Sequence, residues 1–218
     1  VHGSFFDHNL HALRIVEDFE QRYAAFRGLN LTFEVREGII KHSRDYSPRE
    51  FPQLSEYLLD QRPPLEAQLI DLTDEIAYNT ADLDDGYEAH ILKLDDIRAG
   101  VPVFNRLYEQ AEARYPEVRE KLKFNEALKA MLNRMVSDLI STTGRRISEA
   151  AIKSLADVRA CPARLASFSD EVNGERGQAK SFLYEKLYLS ADLQPEKAHA
   201  ERVVTGERLL RVRIERRA

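Results

Sequence analysis

Apolar residues in this chain recur mostly at intervals of three and four positions, the spacing that places them on one face of an α-helix. The first such series is formed by Leu10, Leu13, Val16, Phe19 and Tyr23. Asp7 precedes the series as a candidate N-cap, and Gly28 follows it as a residue type that commonly ends helices. The spacing therefore predicts a first helix that begins after Asp7 and ends before Gly28.

Similar series predict helices along most of the remaining chain. They cover residues 32–42, 65–84, 103–114, 117–143, 145–158, 178–189 and 196–204. Pro63 and Pro64 favour the start of the helix at residue 65, and Gly86 is expected to stop it. A turn ahead of residue 178 is predicted by Asn173, Gly174 and Gly177.

One strand signal stands near the C-terminus, where Leu210, Val212 and Ile214 alternate with charged residues. Alternation with a period of two is the pattern of a β-strand with one buried face. We therefore expect an all-α helical bundle with a short strand near the C-terminus. The helices are expected to pack as a single helical domain across residues 1–218.

Charge and composition exclude several classes of protein. The net charge is -5, so the surface as a whole is not built to hold nucleic acid by bulk attraction. Because no apolar run approaches roughly 20 residues, we expect no membrane span. Cys161 is the only cysteine, which excludes an internal disulfide and a cysteine-based zinc cluster. A cytoplasmic protein is the expectation.

Arginines form a basic tail at the end of the chain. They are Arg208, Arg211, Arg213, Arg216 and Arg217. A run of charge is usually solvated, and the alternatives are contact with nucleic acid or contact between subunits.

Residues 63–92 contain many carboxylates and no Lys or Arg, and a local anionic field of this kind attracts cations. Within this segment Asp74, Tyr78 and Asp82 are spaced four apart, so they share one face of the predicted helix. A solvated acidic face is the simpler interpretation. However, the interleaved Ile76 and Ala77 predict partial burial, and buried carboxylates require a metal or a distant Arg as partner.

Residues 72–86, with the sequence LTDEIAYNTADLDDG, resemble the last motif of the dGTPase-like deoxynucleoside triphosphate triphosphohydrolases of the HD superfamily. Further stretches similar to that family occur in the right order at residues 6–16, 28–42, 133–140 and 180–185. Each match alone would be weak, but their order makes the resemblance specific. It covers most of the chain and implies that residues 1–218 form the C-terminal two-thirds of an HD-domain-like helical bundle.

The resemblance implies hydrolysis of a deoxynucleoside triphosphate to the deoxynucleoside and inorganic triphosphate, with a divalent metal that could be Mg, Mn, Fe or Ni. Asp74 matches the family's final metal-ligating Asp. Tyr78 matches a tyrosine that packs on the sugar and disfavours a 2′-hydroxyl, and Asp82 matches an acid that accepts from the sugar 3′-hydroxyl. His8 matches a histidine near the scissile phosphate, where it would serve as a general acid or a cationic stabiliser. The resemblance also implies a homo-oligomer.

The chain departs from the family pattern at several points. It contains no His-Asp dipeptide, and the family's first His and its His-Asp pair would lie upstream of Val1. We therefore expect one metal ligand here and not four. His11 stands where relatives are expected to carry Gln, and Leu189-Ser190-Ala191 stands where relatives often carry a basic Arg-His pair.

Several candidate residues have alternative interpretations. His8 could be a polar neighbour of the helix cap, or His8 and His11 could form a separate metal site with Asp74. Asn9 is a candidate for positioning substrate. Arg134 is a candidate triphosphate clamp, with a surface arginine as the alternative. The same two interpretations apply to Lys41, Arg145 and Arg146.

The function itself also has alternatives. Because this chain lacks the other metal ligands, it could be a non-catalytic helical module that binds nucleotide or a partner. It could also be another HD-type phosphohydrolase that acts on monophosphates or diesters, although Tyr78 and Asp82 favour a whole deoxynucleoside. Phe182, Tyr184 and Tyr188 have helical spacing and are expected in the core.

Overall fold

The computed structural model describes residues 6–215, with side chains described for residues 6–206. Within these residues the chain is helical and forms no sheet, and the only β interaction is an isolated bridge between Gln21 and Gly28. The predicted all-α architecture is therefore confirmed. In the same residues, no helix combines the length and the apolar character that a membrane span needs.

The α-helices of the described residues are numbered α1 to α9. Their bounds are His8–Arg14, Phe33–Lys41, Leu65–Glu88, Leu94–Gly100, Pro102–Arg114, Glu120–Glu149, Leu155–Ala160, Asp170–Leu183 and Gln194–Glu215. Two π-helical turns follow α1 and α8, at Ile15–Phe19 and Tyr184–Tyr188. Short 3₁₀ helices span Pro52–Tyr57 and Ala191–Leu193.

The helices form two compact units. The first comprises the described residues up to Ile76 together with Met135–Ser169. The second comprises Ala77–Arg134 together with the described residues from Asp170 onward. Helices α3 and α6 contribute residues to both units. The single domain expected from the sequence stays a prediction.

An apolar cluster forms the core of the first unit around α1, α2 and the segment that follows α2. Its buried members are Leu13, Ile40, Tyr46, Leu54, Tyr57 and Leu59. Helix α1 starts at the predicted N-cap, because the Asp7 carboxylate accepts a hydrogen bond from the backbone N–H of Leu10 at 2.9 Å. The buried amide of Asn9 then donates to the carbonyl of Ile40 at 2.8 Å, which holds α1 against α2.

Buried charges fasten α2 within the first unit. The carboxylate of the fully buried Glu37 forms ion pairs with Nζ of Lys41 at 3.0 Å and with a guanidinium nitrogen of Arg159 at 2.6 Å. Lys41 also donates to the backbone carbonyls of Tyr57 and Leu58. Burial lowers the pKa of Lys41, and the bond to Glu37 offsets part of this effect. Because a buried charge without a partner is costly, these pairs fix the position of α2.

The first helix is shorter than its apolar spacing predicts. Helix α1 ends at Arg14, a single π-helical turn follows, and the backbone then becomes extended. Phe19 and Tyr23, which the prediction placed on the helix face, are exposed. The helix ends here because the carbonyl of Val16 accepts a hydrogen bond from the backbone N–H of Leu29 at 2.8 Å. That carbonyl is therefore not bonded to a further helical turn.

Glycines lie inside helices at positions where the sequence predicts breaks. Helix α3 continues beyond Gly86, and α6 continues beyond Gly144. Helix α8 begins at Asp170 and includes Gly174 and Gly177, so the turn predicted there is wrong. A glycine costs a helix only about 1 kcal/mol relative to alanine, which tertiary contacts can outweigh.

The short strand predicted near the C-terminus is wrong, because α9 runs through Leu210, Val212 and Ile214 to Glu215. A lone strand leaves its backbone N–H and C=O groups unpaired, whereas a helix pairs them internally. Within the described residues there is no neighbouring strand to pair with it. In the basic tail, Arg216 and Arg217 lie outside the described residues. For Arg208, Arg211 and Arg213 the backbone is described but the side chain is not.

The second unit has an aromatic core. The rings of Phe104 and Phe124 lie 5.1 Å apart between centroids, and Tyr87 stacks on Phe124 at 4.3 Å. Helix α4, which the sequence pattern does not predict, packs against α5 and α8. At its end, a Cβ on Gly100 would stand 2.2 Å from the ring of Phe182. The missing side chain at Gly100 therefore lets α8 approach α4.

Candidate functional site

The predicted acidic stripe lies on helix α3 and consists of Asp74, Tyr78 and Asp82. The first turn of α3 is anchored by Gln68, whose amide donates to the carbonyl of Pro63 at 2.9 Å. The Gln68 oxygen also accepts from the backbone of the segment that follows α7. Asp74 belongs to the first unit, whereas Tyr78 and Asp82 belong to the second.

Asp74 is exposed to solvent on α3, as is Ala77, so the partial burial predicted for this face is wrong at Asp74. Asp71, one turn earlier, approaches Nε2 of His42 at 3.8 Å. An exposed carboxylate is a suitable oxygen ligand for a divalent cation. However, residues 6–215 contain no group of three or more His, Cys, Asp or Glu side chains that could hold a metal ion. A metal-ligating role for Asp74 stays a prediction.

The alternative metal site built from His8, His11 and Asp74 is wrong. These three residues are all described, and they do not form a group that could hold a metal ion. Both histidines are exposed on α1, and the ring of His11 lies 5.4 Å from that of Phe6. Helical spacing brings two histidines together, but it cannot bring a carboxylate of another helix beside them.

Asp82 has a tyrosine partner within the second unit. The hydroxyl of Tyr188 donates a hydrogen bond to Oδ2 of Asp82, and Tyr78 lies close enough to Tyr188 to affect its ionisation. Burial, followed by the hydrogen bond to Asp82 and its charge, raises the pKa of Tyr188 above its usual value. The hydroxyl therefore remains a donor at neutral pH. We call Tyr78, Asp82 and Tyr188 the tyrosine–carboxylate cluster.

The sequence pattern did not reveal Tyr188 as a member of this cluster. Phe182 is buried as expected, but Tyr184 is 58% exposed and Tyr188 is half-buried, so the core prediction is wrong for Tyr184. Tyr184 lies two positions after Phe182, so the two side chains point to opposite sides of the helix. Tyr188 is the last residue of the π-helical turn Tyr184–Tyr188, which has more residues per turn than an α-helix and shifts its direction. No feature of the local apolar spacing marks this turn.

His8 is the first residue of α1, and its side chain is exposed. The preceding N-cap is held firmly, since Asp7 accepts from the Tyr46 hydroxyl at 2.8 Å and pairs with Arg44 at 3.0 Å. Hydrogen bonds therefore fix the backbone that presents His8. A catalytic role for His8 stays a prediction.

Asn9 and Arg134, the other candidate substrate ligands, take part in structural contacts. Asn9 is 3% exposed, and its amide donates to a carbonyl of α2 and to the hydroxyl of Ser43. Arg134 donates to Glu171 and to Glu175, each at 2.6 Å. A role in substrate binding stays a prediction for both residues.

The further cationic candidates differ in their accessibility. Lys41 is buried, and its ammonium group already has three partners, so it does not face a ligand in solution. Arg145 is exposed and lies 3.9 Å from Glu149. Arg146 is half-buried. Burial thus excludes Lys41 as a phosphate clamp, whereas Arg145 and Arg146 stay candidates.

The fold and the cluster define an all-helical protein whose long third helix presents carboxylates and a tyrosine. No model of a known protein family matches the chain. The chain is similar, however, to curated proteins that carry the name deoxyguanosinetriphosphate triphosphohydrolase-like protein. This similarity supports the resemblance to the dGTPase-like family.

Three of these relatives show the extent of the similarity. The relative from Bordetella pertussis is 40% identical over 200 residues, which are 91% of this chain and 52% of that protein. The relative from Ralstonia nicotianae is 40% identical over 211 residues, 96% of this chain and 54% of that protein. The relative from Leptospira interrogans is 40% identical over 194 residues, 86% of this chain and 49% of that protein. The chain therefore spans about half the length of the curated relatives it matches.

Proposed function

We propose that this chain belongs to the dGTPase-like family of the HD superfamily. We further propose that it forms part of an enzyme that hydrolyses deoxynucleoside triphosphates to the deoxynucleoside and inorganic triphosphate. The support is the 40% identity to relatives with the dGTPase-like name, in one of which the match extends over 96% of this chain. On the same family resemblance, we propose that the protein assembles as a homo-oligomer.

The tyrosine–carboxylate cluster is the observation that carries this proposal. A deoxyribose presents a hydroxyl at C3′ and no hydroxyl at C2′. A carboxylate such as Asp82 accepts a charge-assisted hydrogen bond from a hydroxyl. An aromatic ring such as that of Tyr78 packs on the apolar face of the sugar. It disfavours a 2′-hydroxyl, which would be left without a hydrogen-bond partner against the ring. The cluster therefore has the chemistry to select a deoxynucleoside.

Asp74 would contribute one carboxylate ligand to the divalent metal, and the remaining ligands would come from outside the described residues. When bound, such an ion polarises a phosphate and lowers the pKa of a water molecule. Carboxylate ligation alone does not select among Mg, Mn, Fe and Ni. His8 would assist departure of the leaving group as a general acid or as a cation. Asn9 and Arg134 stay candidate substrate ligands, although each also has a structural hydrogen bond.

A matched pair of variants of the full-length protein tests the role of Asp74. Asp74→Asn and Asp71→Asn each neutralise one exposed carboxylate of α3. With deoxynucleoside triphosphates and a divalent ion, Asp74→Asn should lower kcat/KM for triphosphate release by about 100-fold or more, because the metal loses a ligand. Asp71→Asn should retain the wild-type value. Equal values for the two variants would exclude Asp74 as a metal ligand.

A second candidate function is nucleotide binding without turnover. It is favoured by one observation, that the described residues do not assemble three or more metal-ligating side chains. Under this alternative the protein binds deoxynucleoside triphosphates but releases no triphosphate with any divalent ion. Equilibrium binding measured beside triphosphate release separates the two functions.

A further inference from the structure

Two neighbouring contacts set the register of the π-helical turn Tyr184–Tyr188 against α3. At Gly86, a Cβ atom would stand 2.6 Å from a methyl group of Leu92, in the loop after α3, and 3.3 Å from a methyl group of Leu187. The missing side chain therefore makes room for both the loop and the turn. One helical turn earlier, Asp82 accepts the hydrogen bond from Tyr188. Adjacent residues of the turn therefore contact successive turns of the same helix face.

The backbone of Tyr188 is held independently of its hydroxyl group. Lys197 of α9 donates through Nζ to the carbonyl of Tyr188. The N–H of Leu189 donates to the carbonyl of Tyr184 at 3.1 Å, which closes the turn, and Leu187 is buried. We therefore expect the turn to persist when the hydroxyl of Tyr188 is removed.

The hydrogen bond from Tyr188 occupies one of the two oxygens of Asp82. Oδ2 accepts from the tyrosine, whereas Oδ1 makes no hydrogen bond within the described residues. Rotation about the χ2 bond of an aspartate is broad, so a carboxylate without such a bond samples many orientations. Tyr188 restricts this rotation and leaves Oδ1 available to an external hydroxyl.

We propose that Tyr188 is a positioning residue that holds the Asp82 carboxylate in the orientation that receives the 3′-hydroxyl of a deoxynucleotide. The inference rests on the proposed function for the identity of the ligand. Tyr188 acts through Asp82 and has no contact with the reacting phosphate in this assignment. Loss of its hydroxyl should therefore reduce recognition of the 3′-hydroxyl specifically.

The test compares Tyr188→Phe with the control Tyr184→Phe. Both variants remove one tyrosine hydroxyl from the same turn, but Tyr184 is 58% exposed and its hydroxyl has no hydrogen bond to the described residues. Calorimetry measures the binding of the four deoxynucleosides and of their 2′,3′-dideoxy counterparts to the full-length protein. Nucleosides contain no phosphate, so this readout does not depend on turnover. Release of triphosphate from the corresponding triphosphates is measured in parallel.

The wild-type protein should bind its preferred deoxynucleoside about tenfold more tightly than the dideoxy counterpart, as expected for a hydrogen bond to a charged group. Tyr188→Phe should reduce this ratio to about twofold and leave dideoxynucleoside affinity unchanged. Tyr184→Phe should retain the wild-type ratio. A purely structural role would weaken both ligands equally.

The inference is overturned if Tyr188→Phe keeps the wild-type ratio, or if it weakens both ligands equally. It is also overturned if the wild-type protein has no 3′-hydroxyl preference or binds no nucleoside. If the ratio changes as expected but no triphosphate is released by the wild-type protein, the proposed function fails and the positioning role of Tyr188 stands.

Discussion

Asn79 lies on α3 beside Tyr78, and its side chain is completely buried. Neither Nδ2 nor Oδ1 has a hydrogen-bond partner among the described residues. A buried amide without partners costs about 1–3 kcal/mol of stability. Unpaired polar groups of this kind call for an explanation in terms of function or strain, and Asn79 is three positions from Asp82.

Asn79→Leu should raise the free energy of unfolding by about 1–2 kcal/mol, because an apolar side chain with the same branching and the same number of heavy atoms removes the unpaired amide. The control is Asn105→Leu in the same unit. Asn105 accepts from Arg98 at 2.7 Å and donates to Glu109 at 2.9 Å, so its replacement should give no gain. Urea denaturation measures both effects. A loss of stability in Asn79→Leu would show that the amide is paired in solution.

At the scale of single residues, side-chain chemistry is visible in the sequence but the use of that chemistry is not. Asn9 and Arg134 have the groups that bind phosphates or sugars. Their partners lie far away along the chain, 31 positions for the contact of Asn9 with Ile40 and 41 positions for that of Arg134 with Glu175. Local spacing carries no information about such contacts, so the sequence reveals neither structural partner.

Among the helices, starting points follow from local sequence more closely than end points. Asp7 caps α1 and Pro64 precedes α3 as predicted, because capping groups and prolines act within a few residues. The end of α1 depends instead on Leu29, a residue that is not a near neighbour in sequence. Its backbone N–H donates a hydrogen bond to the carbonyl of Val16. The start of α8 at Asp170 likewise depends on tertiary contacts that outweigh two glycines.

The cap of α1 makes stability depend on pH. Burial alone would raise the pKa of Asp7, but hydrogen bonds from Leu10 and Tyr46 and the charge of Arg44 outweigh it and lower the pKa below 3.8. A carboxylate with a lowered pKa in the folded state stabilises the protein above its unfolded pKa. This contribution is lost as the pH falls through 3.8 toward the folded value.

Asp7→Asn should therefore lose less unfolding free energy than the wild type when the pH is lowered from about 6 to about 3. At neutral pH the variant should be about 1 kcal/mol less stable, because the charge at the helix start and the ion pair are gone. Asp85→Asn, which neutralises an exposed carboxylate of α3, serves as the control and should keep the wild-type pH dependence. Parallel pH profiles for wild type and Asp7→Asn would contradict this role of the cap.

At the scale of the whole chain, the all-α architecture could be predicted because most apolar residues recur at helical spacing, although the alternation at Leu210–Ile214 wrongly indicated a strand. The candidate site could be predicted only in part. Asp74, Tyr78 and Asp82 share one helix, so their spacing places them on one face. Tyr188 lies 106 positions from Asp82, and a π-helical turn determines its direction, so no local pattern reveals it.

Analysis of the reaction products decides whether the protein is a deoxynucleoside triphosphate triphosphohydrolase. The full-length protein is incubated with each deoxynucleoside triphosphate and with Mg, Mn, Fe or Ni, and the products are separated by ion-exchange chromatography. We predict equal amounts of deoxynucleoside and inorganic triphosphate, because in the proposed reaction water attacks the α-phosphorus and the bond to the sugar 5′-oxygen breaks. Release of phosphate or pyrophosphate instead, or no product with any of the four metals, would contradict the proposed function.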